Sequence, residues 1–328
     1  MQKKLSILFV LFILFFSCGN KKNSEGKNSD TSDEKSQKID NAEIEKYNSH
    51  VNFYNKLVQI DENIKDYFEA AGIEKKLKKS EKVFPIPVIN QNTIDEIKKN
   101  INGEVKMEEL DNPARNLLPV LEEIKLLTDE LQNYYKSEEH LKDGLKKGRE
   151  LHLKFLEIGK KYSETSKAYK AAFEKKALEQ RKKSLQKLEA EKKLIKYNLI
   201  IFMDSGEKFL NEIQNQNLDF KNYFNGTPEK FKALQREIED SFLNLKKASE
   251  DENFLRKEKF QSSDFTSFML YTERFIKSIE TFIAQMEAGN ISQNREKPPL
   301  KGYTGTPENI FNEYNNIVEE YNKLLNSE

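Results

Sequence analysis

Apolar residues recur every three or four positions along most of this chain, and no other feature of the sequence constrains its fold as strongly. That spacing puts apolar side chains on one face of an α-helix. Charged residues make up 34% of the 328 residues, but there are only 12 glycines and 8 prolines, a balance typical of helices. We therefore predict an all-α fold, an elongated multi-helix bundle with antiparallel coiled-coil-like long helices. The clearest stripes lie within residues 44–67, 117–134, 231–245, 265–286 and 310–324.

Two of the predicted helices have unusual stripes. Residues 42–71 carry apolar side chains on two sides, so this first helix is expected to pack centrally. Residues 160–205 contain no glycine or proline, and a continuous helix of about 45 residues would be near 70 Å long at 1.5 Å per residue. Such a helix exceeds a compact bundle, so we predict that it either projects or bends. Within it, residues 174–193 are strongly charged and keep only a thin apolar seam, which predicts an exposed two-helix stretch.

An irregular insertion is expected near residues 73–112. The best strand candidate, Val83–Asn90, contains Pro85 and Pro87, which cannot donate hydrogen bonds to a neighbouring strand. We predict a loop there, followed by a short helix over Thr93–Asn100.

The sequence Gly-Thr-Pro-Glu occurs twice, at residues 226–229 and 305–308. Threonine is a good N-cap, proline suits the first helical position, and glutamate interacts favourably with the positive end of the helix dipole. Each copy therefore predicts the start of a helix.

The N-terminus has the pattern of a secretory signal. Lys3 and Lys4 precede an apolar run over residues 5–16, which is followed by Ser17 and Cys18. The run is too short for a bilayer core of roughly 30 Å, which takes about 20 helical residues to span. A cationic start, a short apolar segment and a small residue before the cleavage site define such signals. An ordinary signal peptide or a short anchor helix, with an incidental cysteine, is the alternative.

Cys18 occupies the position that resembles the acylated cysteine of bacterial lipoproteins. It is the only cysteine in the chain, so it cannot form a disulfide within the chain. We predict a signal peptide at residues 1–17 and acyl chains on Cys18 that bind the protein to a membrane. The protein would then lie in the cell envelope, outside the cytoplasm, on the periplasmic or cell-surface face.

Residues 18–40 are predicted to form a disordered polar tether, because residues 19–38 contain no aromatic or aliphatic side chain. Residues 41–328 are predicted to form a single helical domain. The whole chain has 55 basic and 55 acidic residues, so no long-range field attracts nucleic acid, and none is expected as a partner.

A tyrosine–asparagine repeat near the start of the chain recurs near its end. Residues 46–57 and 313–324 each contain two Tyr-Asn pairs one heptad apart, so both tyrosines of a copy share one helix face. The first and last helices are therefore predicted to pack together. The repeats either form a ligand-binding seam or fill the core with tyrosine rings and hydrogen-bonded asparagines. The residues of this seam are Tyr47, Asn48, His50, Tyr54, Asn55, Tyr314, Asn315, Tyr321 and Asn322.

These features together resemble one family. The lipoprotein start, the Tyr-Asn repeats and the stretch from Tyr134-Tyr135 to Gly148-Arg149-Glu150-Leu151-His152 are similar to the YiiG-like bacterial lipoproteins, a family filed as a domain of unknown function. The resemblance covers residues 42–326. It implies an all-helical extracytoplasmic domain and assigns no catalytic residues.

The residues do not form a catalytic constellation that can be recognised from sequence. His50, His140 and His152 do not have the spacing of a helical zinc site, and with Cys18 acylated no thiol nucleophile remains. His50 is expected to be solvated, His140 to lie on the surface, and His152 to lie at the bundle edge. Asp204-Ser205-Gly206 is expected to be a helix kink. We expect neither enzymatic activity nor a metal or cofactor.

Two functions remain open. The first is a binding or scaffolding protein that presents a helix face, around residues 173–193, to an unknown protein partner. The alternative is a small-ligand receptor that uses the Tyr/Asn/His seam between the terminal helices.

Overall fold

The computed structural model describes residues 31–73, 84–288 and 303–326, with side chains from Asn41 to Leu325 in these ranges. These residues form ten α-helices and no strand, which confirms the predicted all-α fold. The predicted signal peptide and Cys18 lie outside the described residues. The helices are α1 Thr31–Ala71, α2 Gln91–Asn102, α3 Glu108–Lys136, α4 Glu139–Lys142, α5 Lys146–Ala190, α6 Leu194–Asn215, α7 Pro228–Glu250, α8 Glu252–Glu258, α9 Thr266–Ala288 and α10 Pro307–Asn326.

The chain divides into two compact units, with the boundary inside α5 between Arg181 and Lys182. We call the described residues up to Arg181 the N-terminal unit and those from Lys182 onward the C-terminal unit. The single helical domain predicted for residues 41–328 stays a prediction. Helix α1 belongs to one and α10 to the other, and their predicted packing against each other stays a prediction.

The N-terminal unit is built around α1, which packs on two sides as predicted. On one side Tyr47 and Tyr54 contact the ring of Phe173 in α5, with ring centroids 5.9 and 4.7 Å apart. On another side α1 packs against α2, which also packs against α3. Further along α1, Tyr67 lies against Phe155 of α5 with centroids 4.7 Å apart. Aromatic rings therefore fill the space between α1 and α5.

Helix α1 begins at Thr31, so the last part of the predicted tether, residues 31–40, is helical. Extending an existing helix fixes one residue for each added hydrogen bond, so a polar segment can continue a helix that packing has already nucleated. The predicted loop agrees with the structure, in which residues 84–90 are irregular. Asn90 caps α2, because its side-chain oxygen accepts a hydrogen bond from the N–H of Asn92 at 2.9 Å. Val83 lies outside the described residues.

The C-terminal unit packs α6 against α7, α7 against α9, and α9 against α10. Phenylalanines fill its centre, where the rings of Phe209 and Phe231 both lie against Phe282. Both Gly-Thr-Pro-Glu copies begin helices as predicted, with prolines at the starts of α7 and α10. In the second copy Thr306 Oγ1 accepts a hydrogen bond from the N–H of Asn309, at 3.3 Å.

Residues 160–205, predicted to project or to bend, do not form one continuous helix. Helix α5 ends at Ala190 and α6 begins at Leu194, with Lys192 in a left-handed conformation at φ 52°. Buried Glu258, at the end of α8, accepts hydrogen bonds from the N–H groups of Ile195 (2.8 Å) and Lys196 (2.9 Å). This carboxylate from a distant segment satisfies the new helix start, which is why no local sequence signal marks it.

The segment expected to project, residues 174–193, is partly held by other helices. Tyr54 of α1 donates a hydrogen bond to Glu174 at 3.2 Å, and Lys176 forms an ion pair with Glu109 of α3. Leu188 is buried, whereas Leu178 is 63% exposed. Among the described residues, no helix has both the length and the apolar character that crossing a membrane requires.

Candidate functional site

A buried polar cluster lies where α1, α3 and α5 meet in the N-terminal unit. Lys46 and His50 stand one turn apart on α1, Asp111 lies in the first turn of α3, and Tyr169 comes from α5. His50, Asp111 and Tyr169 are fully buried, and Lys46 is 5% exposed. These four residues are called the Lys46–Asp111 cluster below.

The Asp111 carboxylate is the centre of this cluster. Its Oδ1 lies 2.7 Å from Lys46 Nζ and 3.0 Å from His50 Nε2, and its Oδ2 accepts a hydrogen bond from the N–H of Met107 at 3.0 Å. Burial favours the protonated acid, but these donors, with Lys46 foremost, outweigh it and hold the pKa of Asp111 below its ordinary value. Asp111 is therefore an anion whose negative charge Lys46 balances.

His50 is neutral at ordinary pH. Burial lowers its pKa from 6.5 to about 4, although Asp111 acts in the opposite direction. We assign the ring proton to Nε2, because an unprotonated Nε2 would face the carboxylate at 3.0 Å. Nδ1 then accepts from the Tyr169 hydroxyl at 3.2 Å, which also lies 3.2 Å from the His50 carbonyl oxygen.

The Tyr-Asn repeat of α1 lies beside this cluster. Tyr47 and Tyr54 are buried in the aromatic core, and Tyr54 donates to Glu174 as described above. Asn48 and Asn55 are half-buried, and their amide oxygens accept no hydrogen bond from the described residues. The structure thus places Tyr47, His50 and Tyr54 in one buried region, where the amide oxygens of Asn48 and Asn55 have no partner among the described residues.

The repeat of α10 lies in the C-terminal unit. Tyr314 donates to the carbonyl oxygen of Met203 at 2.8 Å, and its ring packs on the Cα of Gly206, where a β-carbon would collide with it. Tyr321 is buried as well, whereas Asn315 and Asn322 are exposed. The Asp204–Gly206 segment predicted as a kink lies inside α6, where Gly206 allows this close approach.

The histidines differ from their predicted settings. His50, expected to be solvated, is fully buried because a partner from α3 satisfies it. His152, expected at the bundle edge, is also fully buried, and its Nδ1 lies 3.0 Å from the Tyr67 hydroxyl. His140 is half-buried against Tyr135, with ring centroids 5.2 Å apart.

An open groove of about 640 Å³ runs between α1 and α2 above the cluster. Lys46 lies at its floor and donates to the carbonyl oxygen of Asn100 at 2.5 Å. The walls carry charges of both signs, and Lys56 forms an ion pair with Glu96 at 2.7 Å. Within the described ranges, no group of three or more histidine, cysteine or carboxylate side chains is placed to hold a metal ion.

Comparison with known proteins identifies a family. The model of the family described as "Protein of unknown function (DUF3829)" matches residues 41–323, most of the chain and both units. The chain belongs to the DUF3829 family. No curated protein and no solved structure matches it.

Three members of the cluster in this DUF3829 protein were not singled out from sequence. Lys46 was visible only as the first residue of the Tyr-Asn repeat, Asp111 as an acid near a predicted boundary, and Tyr169 as one apolar-stripe residue. Asp111 lies 61 positions from His50, and Tyr169 lies 119 positions from it. The one sequence signal was the position of Asp111 in the first turn of a helix. An acidic residue there usually caps the helix or is solvated, so it does not indicate a buried cluster.

The stability of the DUF3829 protein should fall in mild acid through His50. Its pKa is 6.5 unfolded and about 4 folded, so the unfolded state binds the extra proton between these values. Neutral His50 therefore contributes about 3 kcal/mol to the free energy of unfolding above about pH 6.5. This contribution is lost as the pH falls towards 4. Urea unfolding at several pH values in this range should show that the free energy of unfolding of the wild-type protein rises with pH. The rise should be less steep for His50→Gln. An NMR titration of His50 with a midpoint near 6.5 would contradict this assignment.

Proposed function

We propose that the protein is a lipid-anchored lipoprotein of the cell envelope, held outside the cytoplasm by acyl chains on Cys18. Its helical units serve as a binding or scaffolding surface for a partner. Within the DUF3829 family, we place it with the YiiG-like lipoproteins on the motifs at residues 46–57, 134–152 and 313–324. The anchor rests on the cationic start, the short apolar run and the lone cysteine at its end.

One observation of the structure supports a binding role in particular. The titratable groups inside the N-terminal unit are buried and already hydrogen-bonded to one another: Asp111 with Lys46 and His50, and His152 with Tyr67. Such groups stabilise a core and fix its packing, and of these five only Lys46, at the floor of the groove between α1 and α2, reaches an open surface. What remains for function is the exterior of the helices, including exposed Leu178 on α5.

Replacing Cys18 by alanine is expected to move the protein from the membrane fraction to the soluble fraction and to abolish incorporation of a labelled fatty acid. Several acyl chains are needed for stable attachment, since each buried methylene contributes about 0.8 kcal/mol. Ser17→Ala is the matched control, because it keeps a small residue before the cysteine. Fractionation and mass spectrometry of the mature N-terminus measure the result. An unmodified thiol in the wild-type protein would refute the anchor.

The binding role is tested in the same cells. A photo-crosslinking residue at Leu178 should give one discrete adduct that Cys18→Ala removes, since the soluble protein no longer meets a partner at the membrane. The same residue at exposed Glu62 of α1 is the control and should give none. Identical adducts at both positions would show only random collisions.

The groove between α1 and α2 favours a second candidate, a small-ligand receptor. Its volume of about 640 Å³ lies within the usual range of ligand sites, roughly 300–1,000 Å³. The predicted seam between the terminal helices stays a separate candidate location for such a site. Native mass spectrometry of protein released from membranes should then show a bound small molecule. Asn52→Trp, which fills the groove, should remove this molecule. Glu62→Trp is the control and should leave it bound.

A further inference from the structure

The balanced charge of the chain hides a strongly uneven distribution. The part of α5 that belongs to the N-terminal unit, Lys146–Arg181, contains 11 basic and 5 acidic residues, a net charge of +6. Helix α1 has 5 basic and 9 acidic residues, and α3 has 3 basic and 7 acidic ones. The helices of the N-terminal unit therefore differ in sign, although the whole chain has 55 charges of each kind.

Part of the positive charge of α5 is neutralised inside the unit. Three of its lysines form ion pairs with α1 and α3: Lys170 with Asp61, Lys176 with Glu109, and Lys147 with Glu130 at 3.2 Å. These pairs lie on the side of α5 that faces the acidic helices. They neutralise lysines on the side of α5 that faces α1 and α3. They do not neutralise the lysines on its solvent side.

The solvent side carries an excess of lysines that have no such partners. Between residues 154 and 175 its exposed charges are five lysines and two glutamates, Glu157 and Glu164, a net charge of +3. At 100° per residue these side chains fall on one face, opposite the buried Phe155, Tyr162 and Tyr169. None of the five lysines forms an ion pair with the described residues. This basic face consists of Lys154, Lys160, Lys161, Lys167 and Lys175.

We propose that the basic face lies against the anionic headgroups of the membrane that holds the protein, so that the N-terminal unit rests on the bilayer on one side. The inference rests on the proposed lipid anchor. The face is about 32 Å long, and a lysine close to an anionic surface contributes about one factor of five in affinity. The anchor keeps the unit within reach of the bilayer, so a modest attraction is enough to orient it. The acidic α1 and α3 are repelled by the same surface.

The experiment uses the mature lipidated protein, reconstituted into vesicles of neutral phosphatidylcholine or of phosphatidylcholine with anionic phosphatidylglycerol. A water-soluble acylating reagent labels accessible lysines, which mass spectrometry quantifies. Labelling of the basic face is expected to fall several-fold on anionic vesicles only. It should recover in about 1 M salt, where the Debye length is about 3 Å. The adjacent exposed pair Lys246 and Lys247 of α7 is the internal control and should be labelled equally on both.

Variants complete the test. Lys160→Gln with Lys161→Gln should lower the ratio of docked to undocked protein roughly 25-fold, as judged by labelling of the remaining basic-face lysines. Lys246→Gln with Lys247→Gln should not change it. Equal labelling of the basic face on neutral and anionic vesicles overturns this inference. Protein that fails to float with either kind of vesicle overturns the anchor instead, so the two failures are distinguishable.

Discussion

Replacing Asp111 by alanine should destabilise the N-terminal unit by about 3–5 kcal/mol. The change removes the one anion beside buried Lys46 and leaves the ring N–H of His50 and the N–H of Met107 without their acceptor. An uncompensated buried charge costs far more than a lost surface pair. Urea unfolding followed by tyrosine fluorescence measures the loss.

A surface pair of similar composition provides the control. Asp129 lies 2.6 Å from Lys125 one turn away on α3, and its side chain is 48% exposed. Asp129→Ala should cost no more than about 0.5 kcal/mol, because an exposed pair of this kind gains little over its interaction with water. Comparable losses for the two aspartates would show that Asp111 is solvated and that the cluster is not a closed buried network.

A double substitution separates charge from shape. Lys46→Met with Asp111→Leu removes both buried charges and should be much less destabilising than Asp111→Ala alone. Full recovery is not expected, since His50 still loses the acceptor of its ring N–H. If the double variant were as unstable as the single one, packing at Asp111 and not charge would explain the loss.

The helices of this fold were predictable because each depends on a local pattern. The stripe over residues 117–134 is buried at Leu117, Ile124 and Leu131 as its spacing requires. Proline positions marked the irregular segment before α2, and the Gly-Thr-Pro-Glu copies marked the starts of α7 and α10. These signals act over a few residues and need no tertiary partner.

The parts that sequence reasoning missed depend on contacts between distant segments. The break after Ala190 is satisfied by Glu258, more than sixty positions away, and no pattern near residue 190 announces it. His50 lacks any local sign of burial, because its surroundings come from Asp111 and Tyr169. The seam that the two Tyr-Asn repeats predict between the first and last helices stays a prediction, and tyrosines at heptad spacing also fill any helical core. Each repeat packs within its own unit.

Gly305→Ala is expected to destabilise the C-terminal unit by about 2–5 kcal/mol, and it tests a second role of the Gly-Thr-Pro-Glu motif. Gly305 has φ 83°, a conformation that costs a residue with a β-carbon roughly 1–2 kcal/mol. An added β-carbon would also lie 2.7 Å from Thr281 Cγ2 and 2.9 Å from the backbone nitrogen of Phe282. The backbone of α9 cannot move aside as a flexible side chain can, so crowding adds about 1–3 kcal/mol.

Gly144 separates these two costs. It also has a left-handed conformation, with φ 61°, but no atom lies within 4 Å of the position that an added β-carbon would occupy. Gly144→Ala should therefore show the conformational cost alone, about 1–2 kcal/mol for its own unit. Urea unfolding gives both values, and hydrogen exchange should show faster opening of α9 and α10 in Gly305→Ala only. Equal losses would mean that α10 is free to shift away from α9. A larger loss at Gly305 would mean that the motif sets the distance between these helices as well as starting one of them.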